Sequence, residues 1–112
     1  MRRVWLFLLL ASCSRGQQAD LQYISQARSL AAEWALINQL SSDGKLTDAY
    51  VAAMHRSLRE QVQTTAKALT EPDSPYAREI RALATAPDNA PPQQLRAASE
   101  RLKAIEDRLE SA

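Results

Sequence analysis

The chain has few of the residues from which disulfide-linked or metal-binding small proteins are built. Its 112 residues include one cysteine, one histidine and two glycines. A single cysteine excludes a disulfide within the chain, and one histidine without nearby ligands does not form an ordinary zinc site. The 14 basic and 13 acidic side chains nearly balance, so there is no basic excess for nucleic acid binding. We therefore predict no metal, no cofactor and no nucleic acid partner.

Long apolar runs are also missing, apart from a short one at the start. Arg2 and Arg3 precede an apolar stretch over residues 4–10. Because a helix needs about 20 apolar residues to span a bilayer, this stretch is too short to be a transmembrane anchor. Positive residues followed by a short apolar segment and small residues are typical of a secretory leader. We predict that residues 1–12 are a signal peptide and are removed.

The end of this leader has a more specific pattern. An aliphatic residue, two small residues and a cysteine follow one another: Leu10, Ala11, Ser12 and Cys13. This segment resembles the lipobox of bacterial lipoprotein precursors, and the resemblance covers only the start of the chain. In that family the cysteine thiol receives a diacylglyceryl group, the leader is cut just before it, and the new amino terminus is usually acylated. The resemblance implies that Cys13 is the lipidated first residue of the mature protein and attaches it to a membrane.

The residue after the cysteine indicates which membrane this is. In Gram-negative cells, aspartate at this position favours retention of such proteins in the inner membrane. Ser14 stands here, so the resemblance implies the periplasmic face of the outer membrane. The alternative is an ordinary signal peptide, whose cleavage leaves the Cys13 thiol free. Lipidation explains an unpaired cysteine in an exported protein, and two or three acyl chains anchor a protein stably.

The mature chain is one domain's worth of sequence. Removing Arg2 and Arg3 with the leader leaves 12 of the 14 basic residues against 13 acidic ones. The residues between Cys13 and Asp20 are small and polar, so we predict a lipidated cysteine and flexible tether over 13–19. A helical domain is predicted over 20–112.

Apolar residues at spacings of three and four predict a long helical hairpin. The first helix is expected from Asp20 to about Ser41, with Gly44 as its stop. The second begins after a Thr47 cap and reaches about Leu69, where a proline follows closely.

Two shorter helices follow the hairpin. The third is expected to begin with the Ser74 cap and Pro75 and to end by Pro87. The fourth has the most regular spacing of apolar residues, at Leu95, Ala98, Leu102, Ile105 and Leu109. No segment shows the alternation of a strand. The predicted fold is all-α, a small antiparallel bundle in which a long hairpin packs with two shorter helices.

The apolar residues of the fourth helix are the candidate interaction residues. Such a seam packs against a helix of the same domain or of a partner, including a second copy of the chain. The residues assigned to it are Leu95, Leu102, Ile105 and Leu109. The charged residues around this seam, Glu106 among them, are interpreted as a solvated face.

Three aromatic residues are expected close together in the hairpin: Tyr23, Trp34 and Tyr50. Such a group could form a ligand cup or an interface anchor. We interpret it as core filling, because Tyr23 and Trp34 lie on the apolar stripe of the first helix.

No catalytic residues are predicted. The segment 42–47 resembles the middle of a calcium-binding loop, but only Asp43 could supply a carboxylate, so it is interpreted as a turn. His55 has no acidic residue or cysteine four positions away and is interpreted as a boundary residue. The sequence thus favours a non-enzymatic, lipid-anchored interaction or structural module. The alternatives are an adaptor or chaperone-like subunit that docks a membrane complex, and a metal-dependent sensor or enzyme that uses His55.

Overall fold

A computed structural model describes residues 16–112, and most of these residues belong to four α-helices. The helices are α1 (Leu21–Ser42), α2 (Asp48–Ala68), α3 (Pro75–Ala84) and α4 (Pro92–Glu110). The range 16–112 contains no strand. The predicted all-α bundle, with a long hairpin and two shorter helices, is confirmed. The predicted leader, the lipobox, Cys13 and Ser14 lie outside the described residues.

The turn of the hairpin follows from local chemistry. Gly44 has φ 71°, a left-handed conformation that strains residues with a side chain. The Lys45 N–H donates to the Leu40 carbonyl at 2.9 Å, which ends α1 in a Schellman arrangement. The Thr47 hydroxyl oxygen accepts from the Tyr50 N–H at 3.2 Å and caps α2. The predicted stop at Gly44 and cap at Thr47 are confirmed.

The end of α2 and both ends of α3 also lie within a few residues of their predicted positions. The chain becomes extended at Leu69, with ψ 138°, directly after α2. The Ser74 Oγ accepts from the Ala77 N–H at 3.2 Å, and Pro75 occupies the first position of α3. This helix ends at Ala84 rather than continuing toward Pro87.

The bundle is built around α1, which packs along α4 over its whole length and against α2 as the other arm of the hairpin. Helix α3 fills the space between α2 and α4. The largest apolar side chains of the core come from all four helices: Ile24, Trp34, Leu58, Val62, Ile80, Leu95 and Leu102. Leu58 and Leu102 are fully buried, and truncating either to alanine removes about 2 to 5 kcal/mol from such a core.

The α4 seam faces the inside of the domain. Leu95 and Leu102 are 1 % and 0 % exposed and belong to the core. Ile105 and Leu109 are half-buried against the same cluster. Proposing Leu95 and Leu102 as residues that contact a partner is therefore wrong, because both are buried in the core of the domain. The apolar residues of α4 therefore pack against other helices of the same chain.

Two further expectations need correction. Glu106 is only 8 % exposed, and its Oε1 lies 3.1 Å from Arg28 Nε on α1. It is an interior partner of α1 and does not belong to a solvated face. The three aromatics do not form one group either, because Tyr23 lies at the open end of the hairpin and Tyr50 lies beside its turn.

The predicted tether is fixed in place from Gly16 onward. The Gly16 carbonyl accepts from the Asp20 N–H and from the Thr70 hydroxyl, both at 3.2 Å. The Gln18 Nε2 donates to the Leu109 carbonyl at 2.9 Å. The prediction of a flexible tether is therefore wrong over 16–19, where the chain forms a turn that contacts α4 and the α2–α3 connection.

A bilayer-spanning helix would need both length and a sustained apolar character. Within residues 16–112, no helix combines the two.

Candidate functional site

Pairs of polar side chains one turn apart project from α1 and α2 toward the α3–α4 connection. Trp34 and Asn38 are separated by four residues on α1, and His55 and Arg59 by four residues on α2. Residues at this spacing lie on the same face of a helix. We call these four residues, together with the connection 84–90, the hairpin-end site.

The two α1 side chains bind carbonyl groups of the connection. The Trp34 Nε1–H donates to the Asp88 carbonyl at 2.9 Å. The Asn38 Nδ2 donates to the same carbonyl at 3.0 Å and to the Ala90 carbonyl at 2.8 Å. Because Ala90 is fully buried, its carbonyl needs such a partner inside the protein. The side chains of α1 thus supply donors to two carbonyls of the connection, one of which belongs to the buried Ala90.

Arg59 binds the same connection from α2. Its Nη1 donates to the Ala84 carbonyl at 2.8 Å, and its Nη2 donates to the Ala86 carbonyl at 2.6 Å. The Nη2 also lies 2.6 Å from Asp88 Oδ1. The guanidinium carbon is 5.2 Å from the centre of the Trp34 ring, within the range of a cation–π contact. The fork of one arginine therefore joins the end of α3 to the aromatic ring.

The pKa of the Asp88 carboxyl group depends on this arginine. The hydrogen bond from Arg59 lowers the pKa of Asp88 below its ordinary value, and the nearby positive charge adds to the effect. Asp88 thus remains ionised beside Arg59 while 59 % of its side chain stays accessible to water.

The amide of Asn38 also binds the ring of His55. Because the Asn38 Nδ2 donates to two carbonyls, its Oδ1 is the atom that faces the histidine. The His55 Nε2 lies 2.7 Å from this oxygen. An oxygen acceptor requires a donor, so Nε2 is the donor of this hydrogen bond. Asn38 thus connects the histidine of α2 to the α3–α4 connection.

Beside these residues the surface is indented. A notch of about 490 Å³ is lined by Asp48, Val51, Ala52, His55, Arg56, Arg59 and Asp88. A smaller notch of about 290 Å³ lies on the other side of the histidine and is lined by Asn38, Ser41, Ser42, His55, Asn89, Ala90 and Pro92. The larger one presents both charge signs and an imidazole ring to solvent. Such a surface can bind charged groups of either sign.

Among the residues that the structure describes, the group that could share a metal ion does not include His55. Within residues 16–112, the acidic, cysteine and histidine side chains close enough to share an ion are Glu106, Asp107 and Glu110. Glu106 already pairs with Arg28, and Asp107 lies 3.2 Å from Lys103 Nζ. These three residues lie within five positions of one another near the end of α4, and cations of the same chain neutralise two of them.

A second polar cluster lies at the opposite end of the bundle. Asp20 is fully buried, and its carboxylate accepts from the Thr70 N–H at 3.0 Å and the Thr70 hydroxyl at 2.9 Å. It also accepts from the Glu71 N–H at 3.2 Å and the Tyr76 hydroxyl at 2.6 Å. Burial raises the pKa of the Tyr76 phenol well above its usual range, and the hydrogen bond to Asp20 raises it further. We call these four residues the Asp20 cluster.

Sequence reasoning identified parts of these sites and missed others. Trp34 and His55 were noticed separately, but Asn38, Arg59 and Asp88 were not. The available signal was Asn38 itself, a polar residue next to the apolar stripe of α1. Asp20 was noticed only as the start of a helix. The residues that it binds lie 50 or more positions further along the chain.

Comparison with known proteins finds no relative of this chain. No protein-family model matches it, and neither the curated proteins nor the solved structures include a match.

Proposed function

We propose that the chain is the precursor of a lipid-anchored bacterial envelope protein, and that its helical bundle is a non-enzymatic interaction or structural module. The observation that carries the proposal is the leader that ends in Leu10-Ala11-Ser12-Cys13. In the lipoprotein family this pattern directs acylation of the cysteine. Ser14 favours the periplasmic face of the outer membrane as the destination. The turn at Gly16 supports this arrangement, because it already contacts Thr70 and lies three residues after Cys13 in the sequence.

The hairpin-end site is the surface that we assign to recognition. No side chain between Gln39 and Ser57 is buried, so this end of the hairpin is the least covered part of the bundle. Tyr50 is 49 % exposed there, and tyrosine is frequent at binding hot spots. The notch of about 490 Å³, which we call the mixed-charge notch, is lined mainly by residues of the same helix. An adaptor that docks through α4 is less well supported, because Leu95 and Leu102 are buried in the core.

The anchor is tested by comparing the native chain with the Cys13→Ser variant in a Gram-negative host. We expect the native protein to begin at Cys13, to carry fatty acyl mass in intact-mass spectrometry and to partition into detergent. The variant should lack the acyl mass and remain in the aqueous phase. An exported native protein that starts at another residue, or carries no lipid, would contradict the proposal.

The recognition surface is tested by placing a photo-crosslinking residue at single exposed positions in cells. Tyr50 and Ala53 probe the hairpin end, whereas Glu100 and Lys103 are matched exposed positions on α4. We expect a discrete crosslinked product from the first pair and none from the second. Products from the α4 positions alone would assign the interaction to the wrong end of the molecule.

A further inference from the structure

The chain reaches its proposed lipid anchor from a turn that is already part of the bundle. Gly16 has φ 84°, and a side chain at this position would also approach the Glu71 carboxylate at 3.3 Å. The turn that it begins is held by Thr70 and by the Leu109 carbonyl, on two separate elements. The folded domain therefore extends to within three residues of Cys13 and leaves little chain between fold and lipid.

The length of that connection limits how far the bundle can stand from a bilayer. Only Ser14 and Arg15 separate Cys13 from Gly16. An extended chain spans at most about 3.6 Å per residue, so these three steps cover roughly 10 Å. A lipidated sulfur at the bilayer surface consequently keeps Gly16 within about one headgroup layer of that surface.

The surface that is brought to the bilayer suits zwitterionic headgroups. It consists of the turn 16–20, the α2–α3 connection with the α3 arginines that bind it, and the last turns of α4, and we call it the Asp20 end. Its exposed charges are of both signs: Glu71, Asp73, Asp107, Glu110, Arg78, Arg81 and Arg108. The large apolar side chains exposed within residues 16–112 are Leu36 and Tyr50, and neither belongs to this end. Headgroup contact without insertion is the interaction that such a surface supports.

We infer that the Asp20 end lies against the headgroups of a bilayer and that the hairpin-end site faces away from it. This inference rests on the proposed lipidation of Cys13. Along α1, Asn38 of the hairpin-end site lies 18 residues after Asp20, which at 1.5 Å per residue is roughly 27 Å. The hairpin-end site therefore meets its partner well away from the lipid surface, and a headgroup is not its ligand.

The test uses the acylated full-length mature protein, because acylation of Cys13 leaves no other thiol in the chain. An added cysteine can then be labelled selectively with a fluorophore. Asp73→Cys and Ser111→Cys place the probe at the Asp20 end, and Asp43→Cys places it in the hairpin turn; all three positions are exposed. Each protein is reconstituted into phosphatidylcholine vesicles that contain a lipid with a nitroxide on its headgroup. We expect several-fold stronger quenching at positions 73 and 111 than at 43.

A control variant carries a long Gly/Ser insert between Arg15 and Gly16, which lets the bundle move away from the surface without losing the anchor. Quenching at position 73 should fall toward the level at 43, while flotation with the vesicles stays unchanged. Equal quenching at 43 and 73 would show a bundle lying flat and would overturn the inference. So would weak quenching at both positions in a protein that floats, although lipidation would then stand. Failure of the native protein to float would overturn the proposed function together with the inference.

Discussion

The two ends of the bundle bind the connections on either side of α3 with opposite hydrogen-bonding groups. At the Asp20 end, one carboxylate accepts from donors in the α2–α3 connection and α3. At the hairpin end, side-chain donors from Trp34, Asn38 and Arg59 bind carbonyls of the α3–α4 connection. Asp20 and Asn38 lie at the two ends of α1. A single helix thus holds both of the connections that bracket α3.

The ends differ in their access to water, and this difference predicts which substitutions act on stability and which act on binding. Asp20 is 0 % exposed, and the groups that donate to it shield it from water. The hairpin-end site opens into the mixed-charge notch, and Asp88 keeps much of its side chain in solvent. We therefore expect substitutions in the Asp20 cluster to act mainly on stability, and those around the notch to act on stability less and on binding more.

The largest effect is expected for Asp20→Ala. The substitution leaves the Tyr76 hydroxyl and two backbone N–H groups without an acceptor inside the protein, and an unsatisfied buried group costs about 1 to 3 kcal/mol. The free energy of unfolding should fall by about 3 kcal/mol in urea titrations, because the cluster can relax only in part. Tyr76→Phe is the matched control, since it removes one donor and leaves the carboxylate in place. An Asp20→Ala effect no larger than that of Tyr76→Phe would contradict the central role of the carboxylate.

A smaller loss is expected for Asn38→Ala. It leaves the Ala90 carbonyl and the His55 ring without this partner and removes one of two donors to the Asp88 carbonyl, which keeps its bond from Trp34. The adjacent notch allows water to replace part of the lost bonds. The free energy of unfolding should fall by about 2 kcal/mol. Gln39→Ala removes a neighbouring amide that binds only the exposed Asp43, so it should change stability by less than about 0.5 kcal/mol. Similar values for the two variants would show that the hairpin-end network contributes no specific stabilisation.

Among the substitutions in the two polar clusters, Asp88→Asn is expected to have the smallest effect, because its ion pair with Arg59 is largely solvated. The loss near neutral pH should be less than about 1 kcal/mol. Since Arg59 lowers the folded-state pKa of Asp88, the contribution is present above the unfolded value of about 3.9 and disappears as pH falls through the lowered one. Urea titrations at neutral and strongly acidic pH measure this difference between the two proteins. A difference that grows in acid would have the wrong sign for this ion pair.

Local signals in the sequence were sufficient for the helices and their ends. Gly44, Thr47 and Ser74 determine boundaries through bonds to residues within a few positions, so their roles could be predicted. The turn at Gly16 could not, because the groups that hold it belong to Thr70 and Leu109, far along the chain.

The candidate site was harder to predict for the same reason. The i, i+4 pairs are visible in the sequence, but their partners are backbone carbonyls of a connection that has no recognisable motif. Glu106 shows the same limit, because its burial depends on Arg28, a residue of the first helix. Periodicity indicates which face of a helix is covered, and not which polar residue at its border finds a partner.

The pairing of the first helix with the last has a consequence for the order of folding. Helix α1 makes its most extensive contact with α4, so a chain synthesised only as far as α3 lacks most of the surface that covers α1. Domains fold as units when their core becomes available. This bundle therefore closes only after its final helix has been made, and the apolar face of α1 stays uncovered until then.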